Sequence, residues 1–141
     1  MFHTMPDPLS VSASLVAIVG AGISVGKTLE ALIRDYRETP VAVTALSNEV
    51  SDLVLVLTEV RAVVDQNAGQ TVQTTLVTVL ERADAKLVLL KTFVDGLDAA
   101  GKLDRVERVK WTRKKKKAAL LKKELAVIKG DLILLMGSRV L

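Results

Sequence analysis

The residue types that could do chemistry converge on one stretch, AIVGAGISVGKT, from Ala17 to Thr28. Ala21, Gly26, Lys27 and Thr28 satisfy the permissive phosphate-loop spacing, Ala or Gly, four residues, then Gly-Lys-Thr. In such a loop backbone N–H groups cradle phosphates, the Lys neutralises them and the hydroxyl holds magnesium. The chemistry also needs a preceding strand, a flexible curl of small residues and an acidic partner on another strand. Here Ile23 and Val25 place β-branched side chains in the would-be curl, and the available acids, Asp95 and Asp131, sit in segments of helical period. No alternating β/α pattern follows, so the sequence argues against nucleotide binding. Other chemistry has little to work with: there is no Cys, and the only His is His3, near the N-terminus. No catalytic residue, metal site or cofactor is expected.

The elements that must carry these residues read as helices. Half of the 141 residues are apolar but only 3% are aromatic, a profile of Leu, Val, Ala, Lys and Glu that suits a helical bundle. Asp7-Pro8 and Thr39-Pro40 each resemble an N-cap followed by Pro at the first helical position. Breaks are expected at QNAGQT, Gln66 to Thr71, and DAAGKLD, Asp98 to Asp104. Between the breaks, Leu46, Val50, Leu53, Leu57, Val60 and Val64 form one heptad stripe. Val72, Leu76, Leu80, Ala83, Leu87, Leu90, Val94 and Leu97 form a second. A third begins at Leu103 and Val106 and resumes at Ala118, Leu121, Leu125, Ile128, Leu132 and Leu135, with Gly130 or Gly137 as places where the helix ends or kinks. DLVLVLTEV could also be read as a strand, but it is embedded in the longer 3.5-residue repeat. The fold expected is all-α: an antiparallel bundle of four to five helices with a long basic C-terminal helix, residues 8–141, after a leader of residues 1–7.

The first segment differs from the rest. No charge occurs between Pro8 and Gly26, and the residues are Ala, Gly, Ser, Val, Ile and Leu. A membrane-spanning helix needs roughly 20 apolar residues, so this run is a marginal span suited to conditional insertion. The candidate inserting residues are Leu9, Val11, Leu15, Val16, Ile18, Val19, Gly22, Ile23, Val25 and Gly26. Small residues recur every four positions, at Ala13, Ala17 and Ala21 and at Gly22 and Gly26, which permits close helix approach in a membrane or in a tight bundle. The equal alternative is a buried helix of a bundle. A secretory signal is disfavoured, because no basic segment precedes the run and Asp7 stands at its start.

The net charge of +4 conceals an asymmetry. Residues 1–101 hold seven Lys and Arg against twelve Asp and Glu, a net of −5, whereas residues 102–129 hold twelve against three, a net of +9. Arg113, Lys114, Lys115, Lys116, Lys117, Lys122 and Lys123 are candidate contacts for anionic lipid, at about 1 kcal/mol per basic residue near a headgroup surface, with Trp111 as an interfacial anchor. A solvated bundle face is the competing reading, and nuclear localisation or a calmodulin-like partner are further ones. Nucleic acid is not expected as a partner, since no reading motif accompanies the charge and stacking aromatics are nearly absent.

Two segments resemble a known family. MPDPLSVSASLVAIVGAGISVGKTLEALI, from Met5, is similar to the opening of fungal HeLo-like N-terminal domains of NLR-type (STAND) receptors, which starts Met-Asp-Pro-Leu-Ser and runs into a small-residue apolar helix. KWTRKKKKAALLKKELAVIKGDLILLM, from Lys110, resembles that family's last long helix. Met1 to Thr4 lie upstream of the usual start, and Pro6 intrudes between Met5 and Asp7. The resemblance implies a non-enzymatic N-terminal effector domain of a fungal NLR-like protein, acting in regulated cell death or self/non-self recognition. It implies oligomerisation on activation and movement from the cytoplasm to the plasma membrane, which the exposed N-terminal helix targets and permeabilises, with receptor domains downstream. The alternative is a non-lytic helical interaction module.

Overall fold

The structure, a computed structural model, describes residues 8–35, 41–66, 74–101 and 108–140. They form four helices and no strand: α1 Pro8–Asp35, α2 Val41–Gln66, α3 Thr74–Gly101 and α4 Arg108–Val140. The helical period thus wins over β-branched content in DLVLVLTEV, which lies inside α2. Pro8 opens α1, where its missing N–H costs nothing. The breaks at Gln66 and Gly101 fall where the glycine-bearing segments place them. Residues 1–7, Tyr36, Pro40, Val72, Leu103 and Val106 lie outside the described residues. Gly130 and Gly137 neither end nor interrupt α4 in its assigned span.

Each helix turns one stripe inward. All six apolar positions of the α2 stripe are buried, as are the seven described positions of the α3 stripe and five of the six downstream α4 positions, with Leu135 packed at the edge. In α1 the stripe is Val11, Leu15, Ile18, Gly22, Val25, Leu29 and Leu32, stepping by four and three residues. Leu15 and Leu29 are wholly buried. Burying such a side chain contributes about 1.5–3 kcal/mol, so α1 is an integral part of the core. Its outward positions are small: Ala13, Ser14, Ala17, Gly20, Ala21 and Ser24 are exposed, with Val16 and Ile23 half-exposed among them. A stretch that reads as apolar all round therefore has an outer face, built from residues too small to register as polar.

Consecutive helices run antiparallel, as expected. Ser12 Oγ donates to Asp65 Oδ1 at 2.8 Å, joining the start of α1 to the end of α2. Arg82 meets Asp131 at 3.1 Å and Lys86 pairs with Glu124, which fixes α3 against α4. Around the bundle, however, the order is α1, α2, α4, α3: α1 packs on α2 and α3, α4 packs on α2 and α3, and the pairs α1/α4 and α2/α3 lie across diagonals. Two neighbouring pairs are consequently parallel, α1 with α3 and α2 with α4.

Candidate functional site

The phosphate-loop stretch is helix throughout, Ala17 to Thr28 forming consecutive turns of α1. No residue has a positive φ there, and the helix's own ladder engages the N–H groups that a phosphate would need. Thr28 Oγ1 donates to the Ser24 carbonyl at 3.2 Å, one turn back. Gly22 and Gly26 instead face α2. A Cβ built on Gly22 would lie 2.7 Å from Val54 Cγ2, so the two helices meet there at a distance that only glycine allows, whereas one on Gly26 would be in ordinary contact with Val50 at 3.7 Å.

The nominated inserting residues divide by face. Val11, Leu15, Ile18, Gly22 and Val25 are buried, Val19 and Gly26 are half-buried, and Val16 and Ile23 are exposed. The structure thus brings most of them together inside the bundle. Leu9, Trp111 and Arg113 lie on α1 and α4, with their side chains outside the described part.

The nominated basic residues are gathered on α4. Lys115, Lys116, Lys117, Lys122 and Lys123 are exposed and Lys114 is half-buried. Lys117 Nζ stands 5.9 Å above the Phe93 ring, a cation–π arrangement against α3. The other five make no ion pair within the described structure. Lys115 and Lys122 precede Lys129 by two heptads and one, on the flank toward α2. Lys116 and Lys123 lie on the back of the helix.

Sequence reasoning missed two features of α4. The first is a second stripe on its outer side: Lys116, Leu120, Lys123, Val127, Gly130, Leu134 and Gly137, again stepping by four and three. Leu120, Val127 and Leu134 are 56%, 51% and 72% exposed, so the most basic helix carries an apolar ridge on its open face. The repeat was legible in the sequence beside the core stripe. The second is a polar clasp between α2 and α4. Lys129 Nζ donates to Glu49 Oε2 at 3.0 Å and lies 3.7 Å from Asp52. Glu49 is buried, and its other oxygen, Oε1, has no hydrogen-bond partner. The hydrogen bond to Glu49 raises the Lys129 pKa above its ordinary 10.5, outweighing the opposing effect of partial burial, and the Glu49 and Asp52 charges add to the rise.

A groove of about 350 Å³ runs between α1 and α3, with Ser10, Ser14 and Ala17 on one wall and Val77, Glu81 and Asp84 on the other. Among the described residues no cluster of His, Cys, Asp and Glu could hold a metal ion.

Residues 6–115 match the family model described as pigment biosynthesis cluster protein PigL, N-terminal. The chain belongs to that family. The matched span takes in α1, α2 and α3 whole and the first turns of α4, so the family region covers most of the bundle and the last helix extends beyond the match. No curated protein and no solved structure matches the chain. α1 from Ser10 to Arg34 and the whole of α2 are long and apolar enough to cross a membrane by length and composition, a test that core helices of a bundle also pass.

Proposed function

We propose that this domain is a non-enzymatic effector or signalling module that assembles with copies of itself and brings its protein to an anionic membrane surface. The observation that carries the reading is the set of five α4 lysines without an ion pair among the described residues, four of them exposed, on a helix that also exposes leucines, in a bundle whose first helix has the length of a membrane span. The family description is of an N-terminal region, which supports a position ahead of further domains. The HeLo-like resemblance of the two ends extends the proposal to a fungal NLR-like receptor in regulated cell death. There clustering would release α1 from the bundle and let it enter the plasma membrane.

A second reading, a non-lytic interaction module in which α1 never leaves, is favoured by the full burial of Leu15 and Leu29. Flotation with vesicles of anionic or zwitterionic lipid tests the membrane claim. Binding is expected to anionic vesicles alone and to weaken on replacing Lys115→Gln and Lys122→Gln. Unchanged binding in that variant would remove the lipid role of the basic helix.

A further inference from the structure

Two surfaces of this molecule have matching spacing and opposite charge. On the back of α4, Lys116, Leu120, Lys123 and Val127 form a ridge with steps of four, three and four residues, about 16 Å long at 1.5 Å per residue. The α1–α3 groove has the same steps on both walls: Ser10, Ser14, Ala17 and then Ala21 on α1, against Val77, Glu81, Asp84 and then Val88 on the parallel α3. Three walls of equal repeat are what a helix laid between two parallel helices requires. The α1 wall is of small residues, so a third helix can come close. The α3 wall supplies Glu81 and Asp84, both exposed and neither in an ion pair within the described structure.

We infer that the α4 ridge of one molecule seats, antiparallel to α1 and α3, in the α1–α3 groove of a second copy, with Leu120 and Val127 against Ala17 and Val77, Lys123 at the level of Glu81, and Lys116 about one turn beyond Asp84 and reaching back toward it. The inference rests on the assembly part of the proposed function and names its interface. Because α1 and α4 lie across the bundle from each other, ridge and groove are separate patches, and each docked copy leaves one of each open. The contact is therefore head-to-tail, building rings or open chains rather than a closed pair. It spans only about three turns, so it is weak between free domains and strengthens when they are tethered close together. Lys115 and Lys122, on the α2 flank, stay outside it and remain free to meet lipid.

Sedimentation velocity of the whole chain from about 10 μM to about 1 mM, the range of weak interfaces, tests this. The native chain is expected to form larger species as concentration rises and to lose them at high salt. Reversing the ridge, Lys116→Glu with Lys123→Glu, or the groove, Glu81→Lys with Asp84→Lys, should each weaken association at least about tenfold. All four side chains are exposed, so far-ultraviolet dichroism should be unchanged. Mixing the two variants restores both pairings with signs exchanged, and the large species should return. Association indifferent to either reversal, or a mixture that stays monomeric, overturns the inference while leaving assembly by another surface open. A chain that never self-associates but loses anionic-vesicle binding on ridge reversal also overturns it, identifies the ridge as a lipid face, and leaves the membrane part of the proposed function standing.

Discussion

At Gly22 a single missing methyl sets how close α1 comes to α2. Alanine gains up to about 1 kcal/mol of helix propensity over glycine, but at Gly22 its Cβ would meet a stiff valine at 2.7 Å. Overpacking of this kind costs about 1–3 kcal/mol, so Gly22→Ala should lower stability and regain it when combined with Val54→Ala. Gly20 has open space around it, and Gly20→Ala should stabilise by up to about 1 kcal/mol. Urea titration of the three variants checks the signs. The close-packing role of Gly22 was legible from its four-residue spacing to Gly26, but which of the pair makes the tight contact depends on the crossing of two helices. The clasp at Glu49 was not legible at all, because a single acid flanking a heptad stripe becomes buried only once α4 lies beside it. Lys129→Met strips Glu49 of its partner and should cost about 2–3 kcal/mol. The Lys129 pKa is raised in the fold, so the stability it confers is complete below the ordinary 10.5 and is lost as pH rises through the folded value. The native chain should therefore lose more stability than Lys129→Met when urea midpoints are compared on the two sides of that range.

Helices, rather than single residues, are what this sequence specifies most openly. In α2, α3 and α4 the apolar residues stand out against charged ones, and the stripes read from spacing are the ones the structure buries. α1 hides its stripe because its outer face is Ala, Gly and Ser, which hydropathy does not distinguish from a membrane segment. The ring order α1, α2, α4, α3 could not be read, since period and breaks define helices without saying which pairs become neighbours. Because α1 holds six aliphatic core positions, removing residues 1–26 should abolish cooperative unfolding, as followed by dichroism on heating. Leu15→Ala alone should cost about 2–5 kcal/mol. A truncated chain that still melts sharply would show α1 to be peripheral.

For the whole molecule, the charge asymmetry becomes a matter of which surface faces what. Part of the basic excess of the last helix is satisfied internally, by Glu49 and Asp52 at Lys129 and by the Phe93 ring at Lys117, while Lys115, Lys116, Lys122 and Lys123 are displayed outward. The central claim is that the folded bundle reaches an anionic surface and that α1 then leaves its place against α2. The chain has no Cys, so Gly26→Cys with Val50→Cys introduces a single disulfide between α1 and α2, at a point where the two helices are in ordinary contact. Vesicles of anionic lipid loaded with a quenched dye report binding by flotation and release by fluorescence, with the pair oxidised or reduced. The prediction is binding in both states and release only when the pair is reduced. Release that is equal in the two states, or no binding in either, would contradict it.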